Sequence, residues 1–184
     1  MASAAGPPRT KTMRTAVVAD RVRSVTDETT APTTARGEHT RPAAIRTAVP
    51  ADADAVLAFW AVAAEDAHRP PDDIHVVRAL LDRDPQALLV AVAGSELVGS
   101  LIAGWDGWRG HLYRLAVHPD HRRRGIGTDL LRAGERRLAA LGARRFDAMV
   151  LADNADAHAL WAAAGYAPQD EWSRWVKKPA RGGA

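Results

Sequence analysis

The order of elements in the sequence predicts an α/β domain, a mixed sheet covered by helices on both faces. Three observations carry that prediction. A near-continuous apolar run at 87–92 reads as a strand buried on both faces. Turn signals at Gly94-Ser95 and Asp106-Gly107 divide residues 87–117 into a three-stranded meander. The stretch Leu115-Ala-Val-His-Pro-Asp-His-Arg-Arg-Arg-Gly-Ile-Gly-Thr128 then runs from an apolar strand end through arginines and glycines into an amphipathic helix. A strand–loop–helix unit of this kind requires the strand after the helix to lie parallel to the strand before it.

The remaining elements follow in chain order. Residues 44–47 read as a short edge strand, and the carboxylates of Asp52 and Asp54 offer a helix start. Val56, Leu57, Trp60, Ala61 and Ala64 share one face of the helix that follows. His68-Arg69-Pro70-Pro71 breaks it, and a second helix is expected over 73–83 with Ile74, Val77, Leu80 and Leu81 inward, ended by Pro85. After the meander (87–92, 97–105, 111–117), a helix over 127–141 turns Leu130, Leu131, Gly134, Leu138 and Leu141 to the core, with Gly142 at its C′ position. A fifth strand is expected at 145–151, a helix at 154–164, and one or two closing strands at 166–178.

The 184 residues, 47% hydrophobic, suffice for one domain with a sizeable core. The absence of cysteine excludes disulfides and thiolate metal sites and suits a reducing, cytoplasmic setting. Apolar runs fall short of a membrane span, and the N-terminus shows no secretory h-region. The net charge of +3 sits in residues 1–43, where seven basic side chains (Arg9, Lys11, Arg14, Arg21, Arg23, Arg36, Arg41) face four acidic ones (Asp20, Asp27, Glu28, Glu38). The rest of the chain is neutral, so no specific nucleic-acid partner is expected, and the three arginines at 122–124 are a local feature. Residues 1–43 are poor in large apolar side chains and read as a disordered tail, with Met13 as an alternative start. The domain is expected over 44–178, with a loose tail at 179–184.

The loop at 122–128 suits an anion. Gly125 and Gly127 let backbone approach a ligand, the helix start contributes a partial positive charge, and Arg122, Arg123 and Arg124 add full charges. A pyrophosphate fits that combination. No Gly-Lys-Ser/Thr follows, as a P-loop requires, and the third glycine of a dinucleotide fingerprint is missing. Metal-ligand spacing is not found at His68, His75 and His158, so no metal is expected.

Arg122-x-x-Gly125-x-Gly127 resembles motif A of the GNAT superfamily of acyl-CoA N-acyltransferases. Asn154-x-x-Ala157-x-x-Leu160-Trp161-x-x-x-Gly165-Tyr166 resembles a second signature of that family. Residues 104–117, Gly-Trp-Asp-Gly-Trp-Arg-Gly-His followed by Leu-Tyr-Arg-Leu-Ala-Val, are similar to small bacterial acetyltransferases of the same group.

The resemblance implies a mostly antiparallel six- to seven-stranded sheet, splayed between strands 4 and 5, with about four helices. It implies acetyl-CoA as co-substrate and an N-acetyltransferase that acts by direct attack of a primary amine in a ternary complex. Leu115, Ala116 and Val117 would pair with the pantetheine arm. Arg122, Arg123, Arg124, Gly125, Ile126, Gly127 and Thr128 would hold the pyrophosphate, and Asn154 and Trp161 would contact the CoA arm. A backbone N–H near Ala116 or Val117 would receive the oxyanion. His111 is the candidate base, with Glu65 and Asp106 as alternatives, and Tyr113 would line the acceptor pocket. Trp161 stands where many members carry a tyrosine acid, and an indole is no acid at neutral pH. That departure raises a second possibility, a domain that binds acyl-CoA without catalysis. A monomer or a homodimer is expected.

Overall fold

The computed structural model describes residues 43–63 and 71–177, all within the compact unit His39–Ala184. The expected tail at 1–43 (but for Ala43), the alternative start at Met13, Glu65 and the closing residues 178–184 lie outside the described residues.

Five strands form one sheet in sequence order, β1 (Ala44–Thr47), β2 (Leu88–Ala93), β3 (Glu96–Trp105), β4 (Gly110–Val117) and β5 (Phe146–Ala148). The first four are antiparallel, and β4 and β5 are parallel. The parallel pair is the one the strand–loop–helix unit demands. Helices α1 (Ala53–Ala63) and α2 (Ile74–Arg83) cover one face, and α3 (Ile126–Ala140) and α4 (Ala155–Ala163) the other. Each face has its own core. Val56, Phe59, Trp60, Val77 and Leu81 pack against Leu88, Val90 and Ile102 on the first. Leu130, Leu131, Leu138 and Trp161 pack against Leu89, Leu101 and Leu112 on the second.

Local chemistry explains the element ends. The Asp73 carboxylate caps α2 by accepting the His75 N–H at 2.7 Å, and Asn154 caps α4 by accepting the Ala157 N–H at 3.0 Å. Asp52 sits in a 3-10 turn over Pro50–Asp52 rather than at the α1 cap, bound at 2.6 and 2.9 Å to the Arg46 guanidinium.

Three expectations are corrected. The buried face of α1 is Ala53, Val56, Phe59 and Trp60, while Ala61 is exposed, because Phe59 offers more apolar area to the sheet than an alanine can. Leu141 is 42% exposed, since the helix ends at Ala140 before that residue turns inward. The closing strands over 166–178 do not form among the described residues. Pro168 removes a ladder donor there, Asp170, Glu171, Arg174 and Lys177 break the apolar alternation, and Trp172, Trp175 and Val176 are exposed. Among the described residues the sheet therefore has five strands instead of six or seven.

Candidate active site

The sheet opens where β4 leaves β5. Their pairing covers only Gly110 with Phe146, His111 with Asp147, and Leu112 with Ala148. Beyond Leu112 the strands separate around a cleft of about 1330 Å³, lined by Arg114, Leu115 and Ala116 on one side and Phe146, Ala148 and Val150 on the other, with Trp161 and Tyr166.

The same part of β4 carries a bulge. Tyr113 is registered against Ile102 and Ala116 against Ser100, so Arg114 and Leu115 together face Leu101. Arg114 takes φ +57, a left-handed conformation that costs a non-glycine residue about 1 kcal/mol or more. The bulge inverts the strand's alternation. The Gly110 N–H points to Arg145 on the β5 side, while the His118 N–H, an even number of residues later, points to Val98 on the β3 side. Counting back from His118, Ala116 turns its N–H to β3 and Leu115 and Val117 turn theirs to the opening. The expected donor near Ala116 or Val117 is thus refined to Leu115 and Val117, and the side chain of Ala116 is buried toward α1.

At the C-terminal end of β4 the chain makes a 3-10 turn over Pro119–His121 and enters the arginine loop. Arg122, Arg123, Arg124 and Thr128 are exposed. Gly125 is the N-cap of α3 at φ +84 with no side-chain cap, so the first N–H groups of the helix are left for another partner. Nothing lies within 4 Å of a Cβ built at Gly125, and its need for glycine is conformational. Gly127 differs from the expectation. A Cβ there would meet Leu160 of α4 at 2.8 Å, so Gly127 is small to let the two helices pack, and both it and Ile126 are buried. Arg122 folds back, its Nε donating to the Val117 carbonyl at 3.2 Å.

On the α1–α2 face of β4 stand His111 and Tyr113, since Leu112 between them points into the other core. His111 Nε2 lies 2.9 Å from the Asp106 carboxylate. That carboxylate also accepts the N–H groups of Arg109 at 2.6 Å and Trp108 at 2.8 Å. These donors, the Arg109 N–H first and His111 next, hold Asp106 well below the usual carboxylate range. Tyr113 lies over Gly104, and burial raises its phenol.

Two expected contacts have structural duties. Asn154 uses its Oδ1 to cap α4. Trp161 is 7% exposed and packs edge-on against Tyr166 at 4.9 Å. The Tyr166 hydroxyl donates to Glu135 at 2.9 Å, and burial and that carboxylate push its pKa far up. Sequence reading did not group Asp72, Ser100 and Arg114, because they lie up to 42 positions apart. It also missed Glu96, His118 and His121, whose candidate ligand atoms lie within 4.8 Å of one another.

The shifted groups predict the pH range of stability. Asp52 and Asp106 titrate lower folded than unfolded, where the value is about 4. Their contribution is complete above about pH 5 and is lost as pH falls through the folded values. Tyr113 and Tyr166 titrate higher folded than the unfolded value of about 10, so their contribution is complete below about pH 9 and is lost as pH rises through the folded values. Urea midpoints are expected to be flat from about pH 5 to 9 and to fall on both sides. A midpoint still rising below pH 4 would contradict the ion pairs above.

The sequence pattern of the acetyltransferase (GNAT) family matches residues 54–166. An acetyltransferase of Sodalis glossinidius is 37% identical over 120 residues, covering 65% of this chain and 83% of that one. One from Pectobacterium atrosepticum is 40% identical over 104 residues, covering 56% and 72%. Among solved structures, a ribosomal-protein-alanine N-acetyltransferase from Brucella melitensis aligns with TM-score 0.57 at 24% identity, covering 66% of this chain and 83% of that one. An aminoglycoside 6'-N-acetyltransferase from Acinetobacter haemolyticus aligns with TM-score 0.56 at 20% identity, covering 74% and 99%. At these identities the solved structures show a shared fold.

Proposed function

The chain belongs to the acetyltransferase (GNAT) family, and on that premise we propose that it transfers an acetyl group from acetyl-CoA to a primary amine by direct attack in a ternary complex. The observation that carries the reading is the β4–β5 opening. It sets unpaired β4 backbone, a bulge and an uncapped, arginine-flanked helix start along one path.

Acetyl-CoA supplies an activated thioester. Arg122, Arg123, Arg124 and the N–H groups from Gly125 to Thr128 suit its pyrophosphate, through full charges and a helix N-terminus. Leu115 and Val117 offer N–H groups to the pantetheine arm and to the charge that develops on the thioester oxygen. Asn154, through its remaining amide, and Trp161 border the arm. On the opposite face His111, backed by Asp106, takes the proton of the incoming ammonium, and Tyr113 lines the acceptor's approach. Glu65 stays a proposal for the same office. The sulfur leaves as thiolate, since a thiol is acidic enough to depart without protonation.

The test is calorimetry with acetyl-CoA and CoA, followed by thiol release over a panel of amines. Absence of affinity for both nucleotides at saturating protein would end this reading. Arg123→Ala combined with Arg124→Ala is expected to weaken acetyl-CoA binding about tenfold or more, with a larger loss at low salt. An unchanged Kd would remove the loop from the site.

One observation favours a second reading. Trp161 is buried and Tyr166 is committed to Glu135, so neither supplies an acid to the cleft. A domain that binds acyl-CoA as a sensor would tolerate that. Tight binding with no thiol release across peptide N-termini, lysine, polyamines, amino acids and aminoglycosides would select it. The amine class is open, because the solved relatives named above, a ribosomal-protein-alanine and an aminoglycoside N-acetyltransferase, share this fold with different acceptors. We propose a cytoplasmic monomer or homodimer, with no membrane, nucleic-acid or metal requirement.

A further inference from the structure

Arg114 is a large charged residue held in a left-handed backbone conformation, at 15% side-chain exposure, where glycine would meet no steric cost. Its side chain and its carbonyl both have partners. Its guanidinium forms a two-pronged pair with Asp72, one arm at 2.9 Å and the other through Nη2 to Oδ1. The guanidinium also lies 4.5 Å from the centre of the Trp60 ring. The Trp60 indole N–H donates to Ser100 Oγ at 2.9 Å, and Ser100 Oγ donates to the Arg114 carbonyl at 2.9 Å. Ser100 is fully buried and sits on β3 where the register shifts. Asp72 belongs to the connection between α1 and α2, 42 residues away. A buried ion pair is weak evidence for stability, since apolar residues of like volume often serve as well, so a charge pair at a strained bulge points to geometry.

We infer that Asp72, Arg114 and Trp60 form a clamp that fixes the β4 bulge, so that the α1–α2 connection sets the aim of the Leu115 and Val117 N–H groups at the thioester carbonyl. This deepens the proposed function and rests on it. Asp72 and Arg114 are positioning residues, because they act through the strand backbone. An acceptor that displaces the α1–α2 connection would thereby alter the polarity of the carbonyl it attacks. The clamp joins recognition on one face of the sheet to activation at its opening.

The experiment is the infrared stretch of acetyl-CoA labelled with carbon-13 at the thioester carbonyl, bound to the full chain, with CoA affinity measured in parallel. In the wild type the band is expected below its position in water. In Asp72→Asn it should move most of the way back while CoA affinity changes less than threefold, and Asp72→Glu should restore part of the shift. Arg114→Gly separates strain from clamping. It permits the left-handed backbone, so a retained shift would show that the backbone alone sets the bulge and would overturn the inference. Loss of the shift supports it. The double variant Asp72→Asn/Arg114→Gly leaves no unpaired charge and replaces Asp72→Asn if that protein does not fold. With an acceptor in hand, kcat should fall about 10²-fold with acceptor KM little changed. A wild-type band shifted and identical in Asp72→Asn overturns the clamp alone. A wild type that binds neither acetyl-CoA nor CoA overturns the proposed function and the clamp together.

Discussion

Replacing His111 with alanine is expected to lower amine acetylation by about 10²–10⁴-fold while leaving the affinity for acetyl-CoA unchanged. An amine acceptor arrives mainly as ammonium, with a pKa of about 10, and attacks only after losing a proton. His111 stands on the α1–α2 face of β4, one residue before the last β4–β5 pair. Its Nε2 faces Asp106 at 2.9 Å, so Nδ1 is the nitrogen placed to take the proton. Asp106 stays ionised because the Arg109 and Trp108 N–H groups and His111 itself favour the carboxylate. An ionised neighbour stabilises the imidazolium formed once the proton has moved. Asp106→Asn is expected to give a smaller loss than His111→Ala. His111 is half-buried, and no cavity forms on its truncation, so thermal stability should change little. Activity within twofold of wild type would show that His111 is not the base, and Glu65 would be the next residue to replace.

The parts of this site that are local in sequence are legible in it. Gly125 with its arginines, the start of α4 near Asn154 and the apolar faces of α2 and α3 each depend on residues within a few positions, where local period and turn rules operate. The order of elements also yields the parallel β4–β5 pair, because a helix crossover leaves no other common arrangement. What the sequence hides is long-range. The bulge at Arg114 arises from Trp60, Asp72 and Ser100, none of which carries a motif. Gly127 reads as a ligand-facing glycine by its neighbours, yet its smallness serves Leu160, 33 residues on. Asp106 reads as a turn residue, and it is one, but the same carboxylate reaches His111 five residues later. Its two oxygens do two jobs: Oδ1 holds the turn and Oδ2 holds the imidazole.

The opening of the sheet depends on one side chain more than on any other. Leu112 makes the last β4–β5 pair, with Ala148, and is 1% exposed in the core facing α3. It packs so closely on α3 that a Cβ at Gly134 would lie 3.1 Å from its Cδ2 and 2.7 Å from Leu101. Leu112→Ala is therefore expected to destabilise the fold by about 2–5 kcal/mol, since glycine and leucine backbones on α3 and β3 cannot both close the cavity. Against a typical net stability of about 5–15 kcal/mol, that is a large share. Leu138→Ala is the matched comparison. It is fully buried in the same core but packs on Gly110, at the end where β4 and β5 stay paired. Both variants should lose similar stability in urea. Only Leu112→Ala should also lose part of the midpoint gain that acetyl-CoA confers, because the point where β4 parts from β5 is no longer fixed. A loss under about 1 kcal/mol in Leu112→Ala would mean that the opening is held from the α1–α2 face. Equal loss of the ligand effect in both variants would mean that the cleft responds to stability alone.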